Sequence, residues 1–369
     1  MIWKIHQSKD WQNLVSDFNW LRDMEGVPQD PIYHAEGDVA THTRMVVNAL
    51  QQLPEYQQLS EQNQEILFAA VLLHDVEKRS TTVIEENGRI TSRNHAKKGS
   101  FTTQSILYQE VKTPFSIRQQ VVKLVRYHGL PLWFLDKPDS RYAVLQAAEE
   151  VDTKLLTILA KADVLGRICD DQEGLLLKVE LFAEYCREQQ CFGQSFPFGS
   201  TAARAEFFYK NENSPAYVPF EKEGFKVYLL AGLPGAGKDY FVKKHYADLP
   251  IVSLDKLRRE QGISPTDKRG NGRVVQQVKE FARQHLRKQQ SFVWNATNIT
   301  TNMRAQLIDL MRTYGATVQI DYIEVPYRKL LRQNQNREYP IPVVVLEKMI
   351  NKLEIPQTWE AIVNYQVDD

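Results

Sequence analysis

Five of the eight histidines, His34, His42, His74, His95 and His128, lie between positions 34 and 128 of a 369-residue chain. His74 and Asp75 close the apolar run Ile66–Leu73, so two metal-competent groups stand at the end of a buried helix. Asp163 lies in a second apolar helical stretch, with Arg167 one turn further on the same face. Imidazole and carboxylate donors in this mixture suit Mn, Fe, Co, Ni or Zn, and a carboxylate able to bridge can hold two ions. Two such ions would polarise a phosphoester and generate hydroxide near neutral pH. Lys78 follows the His-Asp pair at a spacing that returns it to the same face. Its ammonium could hold a substrate phosphate there, as Arg167 could from the other side. Taken singly, each histidine reads more simply as a hydrogen-bonded core or surface residue; jointly, His74, Asp75 and Asp163 favour a metal.

A different phosphate chemistry is written further on. In GLPGAGKD, residues Gly232, Leu233, Pro234, Gly235, Ala236, Gly237, Lys238 and Asp239 stand between the β-rich VYLLA and the helical YFVKKH. Glycines there let backbone N–H groups curl around a phosphate, and the following helix adds its dipole. Lys238 can then neutralise the β and γ oxygens of ATP or another nucleoside triphosphate carrying Mg2+. Asp239 departs from the pattern, since Ser or Thr at that place would ligate the magnesium ion. A carboxylate could act through a water or pair with an arginine instead.

The next β-rich run, IVSL, leads into Asp255, with Arg258 one helical turn on. Ligands of open α/β sheets sit beyond the carboxyl ends of the strands, which aims Asp255 at the phosphate loop as acceptor of a hydroxyl proton. Arg258 would screen the developing charge; the alternative is a helix-capping Asp beside a surface Arg. In WNATN, Asn295, Thr297 and Asn298 offer polar groups to an acceptor at the same sheet edge, or form a plain polar turn. Arg328, Arg332 and Arg337 precede YPIP, as in a lid that covers ATP and supplies charge. The stretch from Lys256 to Lys288 is locally basic, which fits a phosphate-backbone channel or a solvated face.

These residues require two different frameworks. Up to about Gln190 the apolar spacing is helical, and Ser60 followed by Gln64 marks a helix start. Beyond Gly224 short β-rich runs (Val227–Ala231, Ile251–Leu254, Phe292–Trp294, Thr317–Val325) alternate with helical ones, which implies a parallel sheet. Between them Pro197, Pro215 and Pro219 interrupt any helix. The expected organisation is a nearly all-α domain at 1–190, a linker at 191–223 and an α/β P-loop domain at 224–369.

At 43% hydrophobic and 25% charged the chain excludes disorder and fibrous repeats. Lysine plus arginine equals aspartate plus glutamate, 46 each, so contact with nucleic acid would need a local patch. No apolar run approaches the roughly 20 residues of a membrane span, and the first residues carry no apolar signal segment. Three cysteines without CxxC spacing fit a reducing compartment. A cytoplasmic protein with no membrane partner is expected.

The segments HAEGDVATHTRMV, LLHDVEK, RNHAKKG, RYHGLP and KADVLGR resemble the HD phosphohydrolase superfamily from about 30 to 170. That resemblance implies a metal site of His42, His74, Asp75 and Asp163, with His95 and His128 as the extra ligands of two-metal members. His34 matches a further active-site histidine, and which of His34 and His42 is the first ligand stays open. From about 225 onward, GLPGAGKD, SLDKLR, WNATN and RQNQNREYPIP resemble the polynucleotide-kinase branch of P-loop phosphotransferases. There Asp255 and Arg258 match the general base and its arginine, whereas Ala296 stands where that family has an acid.

In this order the halves are similar to the bacterial HD-Pnk end-healing enzymes. The similarity implies an ATP-dependent 5′-hydroxyl kinase joined to a metal-dependent 2′,3′-phosphoesterase. Both would act on RNA or DNA ends, with a ligase as partner. A nucleotide-pool phosphohydrolase fused to a small-molecule or nucleoside kinase is the rival enzyme, and a non-catalytic ATP-sensing module is the rival of another class.

Overall fold

The computed structural model describes residues 2–210, 214–219, 224–264 and 267–368. Parts of the expected linker, 211–213 and 220–223, lie outside the described residues. The chain divides into two compact units, Met1–Pro197 and Phe198–Asp369.

The first unit is helical because its apolar residues recur at helix spacing and its helices carry side-chain caps. Asp38 accepts from the Thr41 amide to start the helix Val39–Gln52, and Ser60 accepts from Asn63 to start Glu61–Leu73. Residues 66 to 73 are buried on every side, which makes the second of these the central element of the unit. Around it pack Val39–Gln52, Phe115–Tyr127 and Thr153–Leu165, the last capped by Asp152, and His95–Gln109 packs on Phe115–Tyr127. Gly166 ends that helix against Val39–Gln52, where a Cβ would stand 2.5 Å from Val46 Cγ2 and 2.7 Å from its backbone nitrogen. An antiparallel hairpin of β1 (Thr82–Ile84) and β2 (Ile90–Ser92) departs from an all-helical reading, as does an isolated antiparallel bridge of Pro28 and Asp38.

The second unit is built on five parallel strands: β3 (Lys226–Ala231), β4 (Ile251–Ser253), β5 (Phe292–Asn295), β6 (Thr317–Glu324) and β7 (Ile362–Val367). Their order across the sheet is β4-β5-β3-β6-β7. β3 in the centre is buried almost throughout, as a strand covered on both faces must be. The phosphate loop leaves its carboxyl end and enters the helix Lys238–His245. β5 ends beside it and is followed by a polar turn, while β4, next to β5, runs straight into the helix Leu254–Glu260. In the segment expected as linker, Thr201–Lys210 is a helix of this second unit.

Candidate functional site

Helix ends set the histidine cluster. His74 directly follows the buried helix Glu61–Leu73, and His128 follows Phe115–Tyr127. His95 opens His95–Gln109 after Asn94, whose φ of 63° turns the chain. His42 comes from the first turn of Val39–Gln52 and Asp163 from the last turn of Thr153–Leu165. Three imidazoles are oriented by backbone carbonyls that can only accept. Nδ1 of His74 donates to Val71 O at 2.7 Å, that of His128 to Val125 O at 2.8 Å, and that of His95 to Ser92 O at 2.7 Å. Each Nε2 is therefore left with its lone pair facing inward.

Asp75 stands between two groups of donors. Its Oδ2 lies 3.2 Å from His74 Nε2 and 3.8 Å from His42 Nε2, and His42 Nε2 is 3.0 Å from Asp163 Oδ1. On the other side Oδ1 is 3.3 Å from His95 Nε2 and 3.8 Å from His128 Nε2. The two latter nitrogens are 3.2 Å apart. Burial keeps His128 neutral, with its pKa lowered to about 3, so two lone pairs and a carboxylate oxygen converge. His74 Nε2 and Asp75 Oδ1 are buried without a hydrogen-bond partner. Burial opposes charge on His74, yet Asp75 and Asp163 outweigh it and raise its pKa. Unpaired lone pairs converging on Asp75, which belongs to two of the candidate ligand groups, fit divalent metal.

Cationic side chains flank the cluster. Lys78 Nζ lies 2.8 Å from Asp75 Oδ2 and donates to Gln29 Oε1, while Arg167 forms two hydrogen bonds to Asp163. Burial raises both carboxylates, but the cations and imidazoles beside them prevail and hold both well below the usual range. A cavity of about 470 Å³ opens onto Asp75, Lys78, His95, His128, Asp163 and Arg167. His42 and His74 do not line it; both are fully buried against Asp75 and Asp163.

His42 groups with His74 and Asp75, whereas His34 groups with Glu36 and His42 and borders the cavity. Glu36 Oε1 is 2.8 Å from Nδ1 of each of these two histidines. Burial brings the pKa of His34 down to about 4. Glu36 was missed in the sequence because loop residues carry no periodicity; the acid two places after His34 was the available signal. Gln29 and the cavity-lining Arg89 were missed for the same reason.

The phosphate loop of the second unit adopts the curl that its glycines permit. Gly232 has φ 142°, and a Cβ there would stand 2.3 Å from Ile323 O, so no other residue fits. Its N–H donates to Thr297 O, tying the loop to the turn after β5. Lys238 Nζ donates to Gly232 O and Leu233 O, both at 2.9 Å. Desolvation lowers its pKa to about 8, Arg337 adding to that effect while Asp239 and Asp255 oppose it. Asp239 accepts from Asn295 Nδ2 at 2.6 Å, a partner other than the arginine that the sequence allowed.

Ser253 caps the short helix Leu254–Glu260, which leaves Asp255 free to pair with Arg258 at 2.8 Å. Both border a cleft of about 800 Å³ with Gly235, Gly237, Lys238, Asp239, Asn295, Thr297 and Arg337. Buried atoms with no partner face the same space: Arg258 Nε, Gln333 Oε1 and Arg337 Nη1. The two guanidinium donors among them, Arg258 Nε and Arg337 Nη1, beside a glycine cradle fit a polyanion, while Gln333 Oε1 is an acceptor.

Arg328 and Arg332 are exposed and do not line this cleft. Asn298 is buried and donates to Leu230 O, bracing β3. A residue that the sequence did not mark, Arg304, is fully buried. It holds Glu360 through two bonds and donates to Asn298 O and Glu354 O, which fixes the turn after β5.

The sequence pattern of the HD domain family matches residues 39–168, and that of an AAA domain family matches residues 227–356. Among solved structures, an unliganded sugar kinase from Janibacter sp. HTCC2649 is 15% identical, with a TM-score of 0.30. That similarity covers 39% of this chain and 85% of the sugar kinase. No helix among the described residues is long and apolar enough to cross a membrane. The chain joins an N-terminal helical HD domain, whose His and Asp cluster fits divalent metal, to a C-terminal P-loop kinase-like domain on a parallel five-stranded sheet.

Proposed function

We propose that the protein heals broken RNA or DNA ends. The second domain phosphorylates a 5′-OH with ATP, and the first hydrolyses a 2′,3′-cyclic phosphate or a 2′-phosphate. The observation that carries this reading is the presence in one chain of two sites built for phosphate with opposite tasks. Strand scission that leaves a cyclic phosphate also leaves a 5′-OH, so a ligase partner needs both chemistries.

In the kinase domain, Asp255 takes the proton of the 5′-OH as its oxygen attacks the γ phosphorus and ADP leaves. Arg258, 2.8 Å from Asp255, orients that carboxylate. Lys238, released from the loop carbonyls, and Arg337 neutralise the transferring oxygens. The residues fit a nucleoside triphosphate, whose Mg2+ would neutralise charge on the β and γ oxygens.

In the HD domain, His42, His74, Asp75 and Asp163 would hold one divalent ion, and Asp75, His95 and His128 a second. When bound, the pair would polarise the phosphoester and make water a stronger acid. Lys78 and Arg167, at the cavity wall, hold the phosphate oxygens. Arg258 and the basic stretch around it give the acceptor strand a local cationic surface on a chain without net charge.

The test is one oligonucleotide bearing 5′-OH and 2′,3′-cyclic phosphate, incubated with the whole protein, ATP and Mn, Ni or Mg. Conversion of both ends is expected. Transfer to free nucleosides or sugars with none to strands would replace this reading by a small-molecule kinase. ATP binding without transfer to any acceptor would make the domain a sensor.

A further inference from the structure

The kinase domain holds a further recess, of about 230 Å³, that shares six lining residues with the nucleotide cleft, Asp255 and Arg258 among them, but contains none of the phosphate loop. Its other walls include Trp294 on β5, Lys279 on the helix Lys268–Arg287, and Met303 and Gln306 on the helix Thr301–Thr313.

Alternation along β5 separates the two sites. Asn295 turns towards Asp239 beside the phosphate loop, so Trp294, one residue earlier, projects from the opposite face. On that face Phe292 stacks against His285 of Lys268–Arg287.

Trp294 is 2% exposed, and its Nε1–H has no hydrogen-bond partner among the described residues. A buried indole donor without an acceptor is costly, and an oxygen or ring nitrogen of a bound molecule relieves it. Lys279 is half-buried, and no carboxylate pairs with it among the described residues. Arg283 and Arg287, further along the same helix, are both paired with Glu280. Met303 is 48% exposed, and its thioether suits the flat face of an aromatic ring. The volume lies below the roughly 300–1,000 Å³ of drug-sized ligand pockets, so one ring system fits and a whole nucleotide does not.

We infer that this recess seats the terminal base of the acceptor strand, Trp294 Nε1–H donating to the base and Lys279 meeting the first phosphodiester. The inference rests on the proposed polynucleotide kinase and deepens it, since Asp255 at the shared wall then faces the 5′-OH of the nucleotide so held.

The experiment uses the full-length protein with short strands that differ only in their 5′ base. Trp294→Phe keeps the ring and deletes the donor. It is expected to raise the strand KM about 5- to 20-fold and to flatten the preference among the four bases, with the KM for ATP unchanged. Lys279→Ala, on the helix surface, is a variant that folding tolerates. It is expected to raise the strand KM and to lower the slope of log KM against log salt by about 0.7.

Wild-type strand KM, base preference and salt slope in both variants would overturn the recess while leaving the kinase reading intact. Equal loss of ATP and strand binding in both would assign these residues to packing and overturn it also. A wild-type protein that phosphorylates no strand at all would overturn the polynucleotide kinase reading, and the recess with it.

Discussion

Asp75 joins donors that no single element could bring together, and its neighbours show how that carboxylate stays charged when buried. Desolvation pushes its pKa up, and His74, Lys78 and His95 more than reverse the push. Glu36 plays the corresponding part for His34 and His42. Glu36→Gln keeps the shape and removes the charge that orients both rings. The affinity of the HD domain for Mn is expected to fall about 10- to 100-fold, as read by calorimetric titration.

Lys238 offers a pH test at the same scale. Its pKa in the folded, nucleotide-free protein is about 8, against an ordinary value of 10.5. Between these values the unfolded chain binds more protons, so this group makes stability rise with pH across that window. A triphosphate restores the charge, so binding above pH 8 must take up a proton. The Kd for ATP, measured in EDTA, is expected to be flat below pH 7 and to rise towards tenfold per pH unit above pH 8. Lys238→Ala should abolish the dependence.

Among the elements, helix ends hold most of the HD chemistry, and their approach depends on Gly166. Gly166→Ala would press a methyl group into the Val46 backbone. A loss of about 2 kcal/mol in urea unfolding of the first domain is expected, with weaker metal binding, because Asp163 and Arg167 shift with the helix end. How far such elements were legible depended on local signals. The Ser60 cap, the apolar run Ile66–Leu73, the glycine loop and the strands at 226–231 and 292–295 announce themselves by capping, period and turn chemistry.

The hairpin at 82–92 was hidden in a helical surrounding, although Asn87-Gly88 between two β-branched runs is a hairpin signal. β7 escaped because none of its residues is buried at this sheet edge, so burial leaves little pattern. In the candidate sites, residue type and spacing are what single out His74, Asp75, Lys238 and Asp255. Glu36 and Arg304 act through contacts that only the tertiary fold creates.

For the molecule as a whole, the two compact units give a crossed expectation. Lys238→Ala should lower strand phosphorylation about 100-fold or more and spare the phosphoesterase, and Asp75→Ala should do the reverse, both assayed on one preparation. Loss of both activities in either variant would contradict separate sites. Chelation should lower the calorimetric transition of the first domain only. ATP at 100 times its Kd should raise that of the second, in line with about 2.7 kcal/mol of binding linkage. The division at Pro197 and Phe198 has a further consequence, because both units are translated as one polypeptide. Their synthesis is locked at one to one, so a change in expression moves both together, and only a cut of the chain between them could leave an excess of either.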